Sequence, residues 1–429
     1  MNKIYFIGIG GIGVSALAKF YLEKGWEVSG SDLCQSAITD DLIEKGINVY
    51  IGENKENIKN FDLVVFSPAI QEDNLELKEA KEKGLKTMSY PECLGELTKE
   101  YFTIAISGTH GKSTTTAMLA LILIKAGIDP TVIVGTKIKE FNNSNFRAGK
   151  SKCLLIEACE HEASFLNYWP EIAVITNVEE DHLDFYSNLE NIEKAFNEFV
   201  SHLKDNSILV KRDDVKASFK NTVEFSLKDK EVEELRKIIR VPGDYNILNA
   251  LAALKVARVL GVNDDVSFEA LAQYLGSWRR FEITQLPNFI LIDDYAHHPT
   301  EIMATLKAAR EKYLNNNIYC VFQPHQYQRT KFLFDDFVDV FKEALKTDLI
   351  EKLFLIDVYD VAGRKGQGDD INYNSKALAE RIDNKRAKRI EQAYLKQELE
   401  GAEVVIMMGA GNIYDLSEEL KDCINFENN

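Results

Sequence analysis

The sequence predicts an α/β protein of two or three domains built on parallel sheets, on three observations. Short apolar segments alternate with helical patterns along almost the whole chain, which is the rhythm of βαβ units. The 429 residues are too many for one ordinary hydrophobic core. Two glycine-rich turns each follow directly on an apolar strand, as nucleotide-binding turns do in such folds.

The strands and helices fall into three consecutive blocks, for which we expect boundaries near residues 98 and 278. The first block has strands at Ile4–Ile7, Glu27–Gly30 and Leu63–Phe66 and a helix over Val14–Leu22. The second has strands at Phe102–Ile106, Cys153–Ile156 and Ile172–Ile175 and a helix over Ile247–Leu260. The third has a helix over Glu301–Lys312 and strands at Phe289–Ile292, Ile318–Phe322, Leu353–Ile356 and Val404–Met407. The polar stretches 139–151 and 363–374 predict surface loops.

The composition indicates a soluble globular protein, with 45% hydrophobic and 28% charged residues. No apolar run is long enough to cross a bilayer, and the chain starts directly with a strand and turn, so we expect neither membrane insertion nor a cleaved signal. A net charge of −17 without a basic block argues against nucleic-acid binding. Six cysteines without a C-x-x-C pair predict reduced thiols and a cytoplasmic location.

The segment Ser107–Thr116 predicts a phosphate-binding turn between a strand and a helix. Its spacing differs from the general P-loop, because two residues instead of four separate the first glycine from the Gly-Lys pair. Backbone N–H groups and the helix dipole would face the phosphates, Lys112 would reach the outer phosphates, and Ser113 would bind Mg²⁺. The predicted ATP site comprises Gly108, Thr109, His110, Gly111, Lys112, Ser113 and Thr114.

A second glycine-rich turn follows the first strand and satisfies G-x-G-x-x-G with Gly8, Gly10 and Gly13; Gly11 lies within it. Asp32 ends the next strand at a distance suited to a ribose hydroxyl. Alone, this motif indicates NAD. Because ATP has its own turn downstream, we favour the diphosphate of a UDP-linked ligand, and NAD stays the alternative.

Acidic residues and a histidine follow two strands of the second block. Glu157 ends a buried strand and is well placed to hold Mg²⁺, although a surface glutamate at a strand end would look the same. His182 lies in the polar run Thr176–Asp184 and could bind a divalent ion, whereas helix capping explains the run equally well. Together they predict a site for Mg²⁺ or Mn²⁺ formed by Ser113, Glu157 and His182.

Three further polar segments predict ligand contacts. The amides of Asn246 and Asn249 could pair with adenine or ribose, and capping explains Asn246 nearly as well. The segments Asp293–Glu301 and Gln323–Thr330 each follow an apolar strand, and Arg329 could bind a carboxylate with two hydrogen bonds. Taken alone, a solvated arginine is the commoner case.

These motifs, in this order, resemble the Mur ligases along essentially the whole chain, and the alanine-adding branch above all. The motifs that carry the resemblance are Ile7–Gly13, Ser67–Ile70, Ser107–Thr116, Glu157, Thr176–His182, Asn246 and Asn249, Arg279–Glu282, Asp293–Glu301, Gln323–His325 and Met408–Gly411.

The resemblance implies a three-domain Mur ligase architecture. A Rossmann-like domain over 1–98 would bind the UDP-sugar, a central P-loop-type ATPase domain over 99–278 would bind ATP, and a Rossmann-like domain over 279–429 would bind the amino acid. It implies UDP-N-acetylmuramate and L-alanine as substrates, ATP and Mg²⁺ as cofactors, and a monomer or weak homodimer. It adds Arg280 and Asp294 to the ATP site and Ser67 to the UDP-sugar site, and implies catalytic roles for Lys112, Glu157, His182, His297 and Arg329.

Several residues depart from the family pattern. The stretch after Glu157 reads Cys159-Glu160-His161-Glu162 where many relatives have aspartates, and Gln326 stands where relatives often carry arginine. Three rival functions stay open on sequence alone. They are a related ligase that adds a peptide or another amino acid to UDP-N-acetylmuramate, an NAD-dependent oxidoreductase, and a non-catalytic nucleotide-binding scaffold.

Overall fold

The computed structural model describes residues 2–360 and 372–426, without the side chains of residue 184 and residues 423–426. The chain divides into two compact units. The first unit contains residues 1–180, 188–238 and 248–274, and the second contains residues 181–187, 239–247 and 275–429. Within the described ranges, no helix is long and apolar enough to cross a bilayer.

The first sheet has five parallel strands in the order β3-β2-β1-β4-β5. Its elements are β1 (Lys3–Ile7), α1 (Ile12–Glu23), β2 (Glu27–Asp32), α2 (Ala37–Glu44), β3 (Asn48–Ile51), β4 (Leu63–Phe66), α3 (Leu75–Glu82), β5 (Thr87–Ser89) and α4 (Tyr90–Glu100). Parallel order with helical crossovers is the Rossmann-like arrangement, and it places the β1–α1 turn at the carboxyl edge of the sheet.

The second sheet has seven strands in the order β12-β11-β10-β6-β9-β7-β8, and only β7 and β8 pair antiparallel. The elements of this part of the chain are β6 (Phe102–Ser107), α5 (Lys112–Lys125), β7 (Thr131–Ile138), β8 (Ser144–Arg147), β9 (Cys153–Glu157), β10 (Ile172–Ile175), α6 (Leu183–Tyr186), α7 (Leu189–Ser201), β11 (Ile208–Arg212), β12 (Thr222–Phe225), α8 (Val232–Ile238), α9 (Asp244–Val259) and α10 (Asp264–Gln273). Of these, α6 and the first turn of α9 belong to the second unit.

The third sheet forms the centre of the second unit, with the order β13-β14-β18-β15-β16-β17 and an antiparallel edge strand β13. Its elements are β13 (Glu282–Gln285), β14 (Ile290–Asp294), α11 (Pro299–Lys312), β15 (Ile318–Phe322), α12 (Tyr327–Phe332), α13 (Phe334–Lys346), β16 (Lys352–Leu355), α14 (Ser375–Ile382), β17 (Ala387–Arg389), α15 (Leu395–Glu398), β18 (Val404–Met408) and α16 (Ile413–Phe426). Buried apolar residues cover both of its faces, which matches the continuous apolar runs of its central strands.

The expected strands and helices are present, but the loop prediction for 139–151 is wrong at β8. Asn145 and Phe146 are buried there, and the Phe146 ring lies 6.4 Å from the Phe20 ring of α1. A local polar stretch gives no sign of this packing, because the partner helix belongs to the first sheet. Most of the predicted loop 363–374 lies outside the described residues.

Candidate active site

The turn between β6 and α5 needs glycine at two positions. Gly108 has φ 130°, and a Cβ there would lie 2.0 Å from Oγ1 of Thr176. Gly111 has φ 83°, and its Cβ would lie 2.2 Å from Oδ1 of Asn249. Left-handed backbone and this close approach leave room for no side chain. The turn is therefore packed tightly against β10 and α9 within the first unit.

Two buried residues after β10 hold this turn in place. The hydroxyl of Thr176 and the amide of Asn177 both donate to the carbonyl of His110, over 2.6 and 2.9 Å. The side-chain oxygen of Asn177 accepts from the N–H of His110 at 2.9 Å. Paired acceptors and donors of this kind fix the direction of backbone N–H groups, as an anion-binding turn requires.

The ammonium of Lys112 lies inside the turn, where it donates to the carbonyls of Gly108 at 2.7 Å and Thr109 at 2.9 Å. It also lies 2.8 Å from a carboxylate oxygen of Glu160. Burial alone disfavours the charged form, but Glu160 foremost outweighs it and raises the pKa of Lys112 above its ordinary value. Lys112 is therefore a fixed positive charge at the phosphate turn.

Ser113 and Glu157 bring two oxygen ligands together beside Lys112. The Ser113 hydroxyl donates to Oε2 of Glu157 at 2.8 Å, and the N–H of Gly135 donates to the same oxygen at 2.8 Å. A carboxylate and a hydroxyl fit Mg²⁺, which binds through one or two protein oxygens and completes its shell with water and phosphates. In the described part of the chain, no group of three or more His, Cys, Asp or Glu residues could hold a metal ion by itself.

Cys159 does not extend this site toward a soft metal. Burial, together with the neighbouring Glu160, raises the pKa of the Cys159 thiol to about 12. The thiolate is the form that binds metal, so a thiol this hard to deprotonate is a poor ligand.

The β1–α1 turn is braced by the residue predicted to bind ribose. The N–H of Gly10 donates to Oδ2 of Asp32 at 2.8 Å, and the N–H of Gly8 donates to the Ser31 carbonyl at 2.8 Å. A Cβ at Gly13 would lie 2.8 Å from the ring of Tyr90, at the start of α4. The carboxylate of Asp32 thus already has a structural task, and its ribose contact stays a prediction.

The second unit gathers a charged cluster at the ends of β14 and β15. The guanidinium of Arg329 lies 3.4 Å from Oδ1 of Asp181 and 3.3 Å from Nδ1 of His325. Burial opposes the charge on Asp181, but His182 and Arg329 outweigh it and lower the pKa of that carboxyl. Burial, reinforced by Arg329, lowers the pKa of His297 to about 4, so this imidazole is neutral near pH 7.

Asp294, the last residue of β14, fixes the backbone around it. Its carboxylate accepts hydrogen bonds from the N–H groups of Phe281 and Ala296, both at 2.8 Å. Burial raises the pKa of Asp294 to about 6. The Arg280 guanidinium lies 5.0 Å from the centre of the Tyr295 ring. These contacts order the turn after β14. Of the two residues implied for the ATP site, Asp294 ends β14 and Arg280 precedes β13, both in the second unit.

Three family models match consecutive parts of the chain and together span most of it. They are described as "Mur ligase family, catalytic domain", over residues 3–102, "Mur ligase middle domain", over 106–238, and "Mur ligase, glutamate ligase domain", over 279–411. The chain belongs to the Mur ligase family.

Named relatives match this Mur ligase over nearly its full length. UDP-N-acetylmuramate–L-alanine ligases of Clostridium botulinum (strain Okra) and Clostridium acetobutylicum are 39% and 40% identical, over 97% of both chains in each pair. The crystal structure of the UDP-N-acetylmuramate–alanine ligase of Thermotoga maritima matches with a TM-score of 0.83 and 27% identity, over 100% of both chains. A murein peptide ligase of Psychrobacter arcticus, at 20% identity and a TM-score of 0.71, shows the same fold over 99% of both chains.

Family membership confirms the predicted three-domain α/β fold and removes the oxidoreductase alternative. Of the predicted metal ligands, Ser113 and Glu157 are hydrogen-bonded to each other in the first unit. His182 belongs to the second unit, directly before α6, and has φ 52°. His297 and Arg329 lie in one cluster of the second unit. The individual roles of these residues in the Mur ligase reaction stay predictions.

The two predicted amides are partly engaged within the protein. The Asn246 amide donates to the Pro242 carbonyl at 2.7 Å, and Oδ1 of Asn249 lies 3.3 Å from the hydroxyl of Thr115. Both residues therefore have a structural role in the protein. Their contact with adenine or ribose stays a prediction.

Sequence reasoning did not assign Thr176, Asn177, Glu160, Gly135 or Tyr90 to a site. For Thr176 and Asn177 there was a local signal, since a Thr-Asn pair directly after a strand lies at the same sheet edge as the β6–α5 turn. For the others, no local pattern marks the contact, since each depends on which strands become neighbours.

Proposed function

We propose that this Mur ligase joins L-alanine to the carboxylate of UDP-N-acetylmuramate with ATP, a step in peptidoglycan precursor synthesis. The curated relatives at 39–40% identity over 97% of the chain carry this activity in their names. Five free cysteines in the described residues suit a reducing compartment, and we place the reaction in the cytoplasm.

The geometry that best supports ATP use is the phosphate turn with Lys112, Ser113 and Glu157 around it. The ammonium of Lys112 would offset the charge of the β- and γ-phosphates, and the ordered N–H groups of the turn would bind their oxygens. Ser113 and Glu157 would hold Mg²⁺ or Mn²⁺, and a metal contact of His182 stays a prediction from the sequence. The bound ion would supply further positive charge at the transferring phosphate.

The reaction we propose has two steps. A carboxylate oxygen of the muramoyl group attacks the γ-phosphorus of ATP, the bond to the β-bridging oxygen breaks, and ADP leaves as the acyl phosphate forms. The alanine ammonium first loses a proton to become an amine. Its nitrogen then attacks the acyl carbon, the bond from that carbon to the phosphate oxygen breaks, and the proton that the new amide nitrogen loses ends on the departing phosphate. Two anions must meet in the first step, so the charge of Lys112 reduces their repulsion.

The amino acid would bind in the second unit, at the carboxyl ends of β14 and β15. We assign its carboxylate to Arg329 and place its amine near the neutral His297. Gln326 offers no charge, so Arg329 would bind this carboxylate as a single arginine. Because Arg329 already pairs with Asp181, the substrate must share its guanidinium.

The UDP-sugar would bind at the β1–α1 turn, with its diphosphate against the N–H groups of Gly8, Gly10, Gly11 and Gly13 and near Ser67. In the first unit, adenine or ribose of ATP would contact Asn249, which lies against Gly111 of the turn. Nucleotide contacts of Asn246, Arg280 and Asp294 stay predictions from the sequence.

Product formation from purified protein, ATP, Mg²⁺ and UDP-N-acetylmuramate tests this function, with alanine, glycine, serine and a tripeptide as alternative acceptors. We expect ADP release that depends on both the UDP-sugar and alanine. Preference for the tripeptide would instead assign the chain to the peptide-adding ligases of the same fold.

A further inference from the structure

A lysine ammonium has three N–H donors. In Lys112, two of these N–H donors bind the carbonyls of Gly108 and Thr109 in the β6–α5 turn. The third direction faces Glu160, whose two carboxylate oxygens lie 2.8 and 3.1 Å from Nζ. All the hydrogen-bonding capacity of Lys112 is therefore used inside the protein.

The Lys112–Glu160 pair is buried, with side-chain exposures of 13% and 3%. Glu160 follows β9 by three residues and precedes a short 3-10 helix over His161–Asn167. Its carboxylate is thus carried by the short loop that follows Glu157. An ion pair in this setting is screened little by solvent, so its contribution to binding equilibria is large.

We propose that Glu160 competes with the phosphates of the nucleotide for the ammonium of Lys112, and so sets the nucleotide affinity of this enzyme. The inference rests on the proposed ATP site. A phosphate oxygen that contacts Lys112 must take the one donor that is not bound to a loop carbonyl, and Glu160 occupies that donor. Glu160 is a positioning residue, since it acts through Lys112.

Two effects of Glu160 then oppose nucleotide binding. The ion pair with Lys112 has to loosen, and a buried carboxylate remains close to the negative phosphates. Both apply to ADP as well as to ATP, so Glu160 would also favour product release. Replacement of the carboxylate by an amide of the same shape removes both effects.

Calorimetric titration of ATP and ADP into the wild type, Glu160→Gln and Glu162→Gln tests this inference. Glu162 is exposed and lies two residues away, so its substitution changes the charge equally without touching Lys112. We expect Glu160→Gln to bind both nucleotides about tenfold more tightly, the scale of one charge-assisted hydrogen bond. Glu162→Gln should match the wild type. In steady-state assays the KM for ATP should fall in Glu160→Gln, while the KM for alanine stays unchanged.

Unchanged or weaker nucleotide binding in folded Glu160→Gln overturns the inference and leaves the proposed function intact. A wild-type protein that binds neither nucleotide overturns the proposed function and this inference with it. If Glu160→Gln does not fold, Glu160→Asp serves in its place. Its shorter side chain weakens the contact with Lys112, so tighter binding than wild type supports the inference and equal or weaker binding overturns it.

Discussion

Buried charges with specific partners are the main feature of this enzyme at the scale of single residues. Lys112 pairs with Glu160, and Arg329 pairs with Asp181, each inside its own unit. Loss of one partner leaves the other charge buried and uncompensated, which costs more than the contact itself. Substitutions here are therefore expected to change both function and stability, and matched double substitutions can separate the two.

Lys112→Ala is expected to reduce kcat at least about hundredfold, because a preorganised charge at the transferring phosphate is lost. It should also lower the free energy of unfolding by about 3 kcal/mol, since Glu160 stays buried without its cation. Steady-state ADP release and urea unfolding measure the two effects. The double variant with Glu160→Gln should recover stability and not turnover. Near-normal turnover of Lys112→Ala would contradict the ATP site.

Arg329→Ala is expected to raise the KM for alanine about ten- to hundredfold, which corresponds to the loss of one charge-assisted contact of about 1.5–3 kcal/mol. The KM for ATP should change much less. Initial rates at varied alanine and varied ATP measure the two constants. Arg329→Lys keeps the positive charge but not the two-pronged guanidinium, so its KM for alanine should lie between those of the wild type and Arg329→Ala. Equal effects on both substrates would remove Arg329 from amino-acid binding.

His297 is expected to titrate near pH 4 in the folded protein, against about 6.5 in an unfolded chain. Because its folded pKa is the lower one, its contribution to stability is present above about pH 6.5 and is lost as the pH falls toward 4. Histidine resonances followed by NMR give the pKa directly. In unfolding experiments, the wild type should lose more stability than His297→Asn over this range, by at most about 3 kcal/mol. Titration of His297 near 6.5 would contradict its burial.

At the scale of elements, two strand–turn–helix motifs look alike in sequence but are held differently. The β1–α1 turn is braced by a single carboxylate, Asp32. The β6–α5 turn is clamped by Thr176 and Asn177 and has no room for a Cβ at Gly108. A substitution at Gly11 of the first turn can therefore test ligand binding, whereas one at Gly108 of the second also disturbs the fold.

Gly11→Ala is expected to weaken UDP-N-acetylmuramate binding and leave ATP binding nearly unchanged. The added Cβ would meet its nearest protein atom, the Gly8 carbonyl oxygen, at an ordinary 3.4 Å, so the fold should tolerate it. It would, however, stand between the backbone and a diphosphate. Calorimetry with both ligands measures the effect. Gly108→Ala serves as the contrast, because its clash with Thr176 should lower the melting temperature. Unaltered UDP-sugar affinity in Gly11→Ala would place the diphosphate elsewhere.

At the scale of the whole molecule, the first and second sheets belong to one compact unit, and a buried polar network joins them. The Asn145 amide of β8 donates to the Ser15 hydroxyl of α1 at 2.9 Å, and its carbonyl accepts from Lys19 at 2.9 Å. Lys19 also lies 2.6 Å from Asp41. The helix α1, which follows the β1–α1 turn, is thereby attached to the second sheet.

Asn145→Ala is expected to lower the free energy of unfolding by about 1–3 kcal/mol, because buried Lys19 and Ser15 each lose one hydrogen-bond partner. Asn197→Ala is the control, since Asn197 is exposed on α7 and its amide donates to the Glu193 carbonyl of the same helix. Urea unfolding of both variants measures the difference. A loss in Asn145→Ala no larger than that in the control would show that the network does not hold the two sheets together.

The sequence alone determined the main central strands, the turns at their ends and the residue types that those turns carry, but not edge strands such as β8. Apolar runs and glycine spacing are local patterns, and local geometry decides whether a segment is a strand, a turn or a helix. Because parallel strands end at one edge of a sheet, Lys112, Ser113 and Glu157 could be predicted to meet. The family could also be predicted, because its motifs are short local patterns that follow one another in a fixed order along the chain.

Only the tertiary structure decided which buried charged and polar side chains pair with each other. Glu160 is 48 residues from Lys112, Asp181 is 148 from Arg329, and Asn145 is 130 from Ser15. Such contacts depend on strand order and on the packing of helices against sheets, which no local pattern specifies. A buried charge pairs with whichever partner the packing places within reach, because leaving it unpaired costs several kcal/mol. That cost is a large part of a domain's net stability.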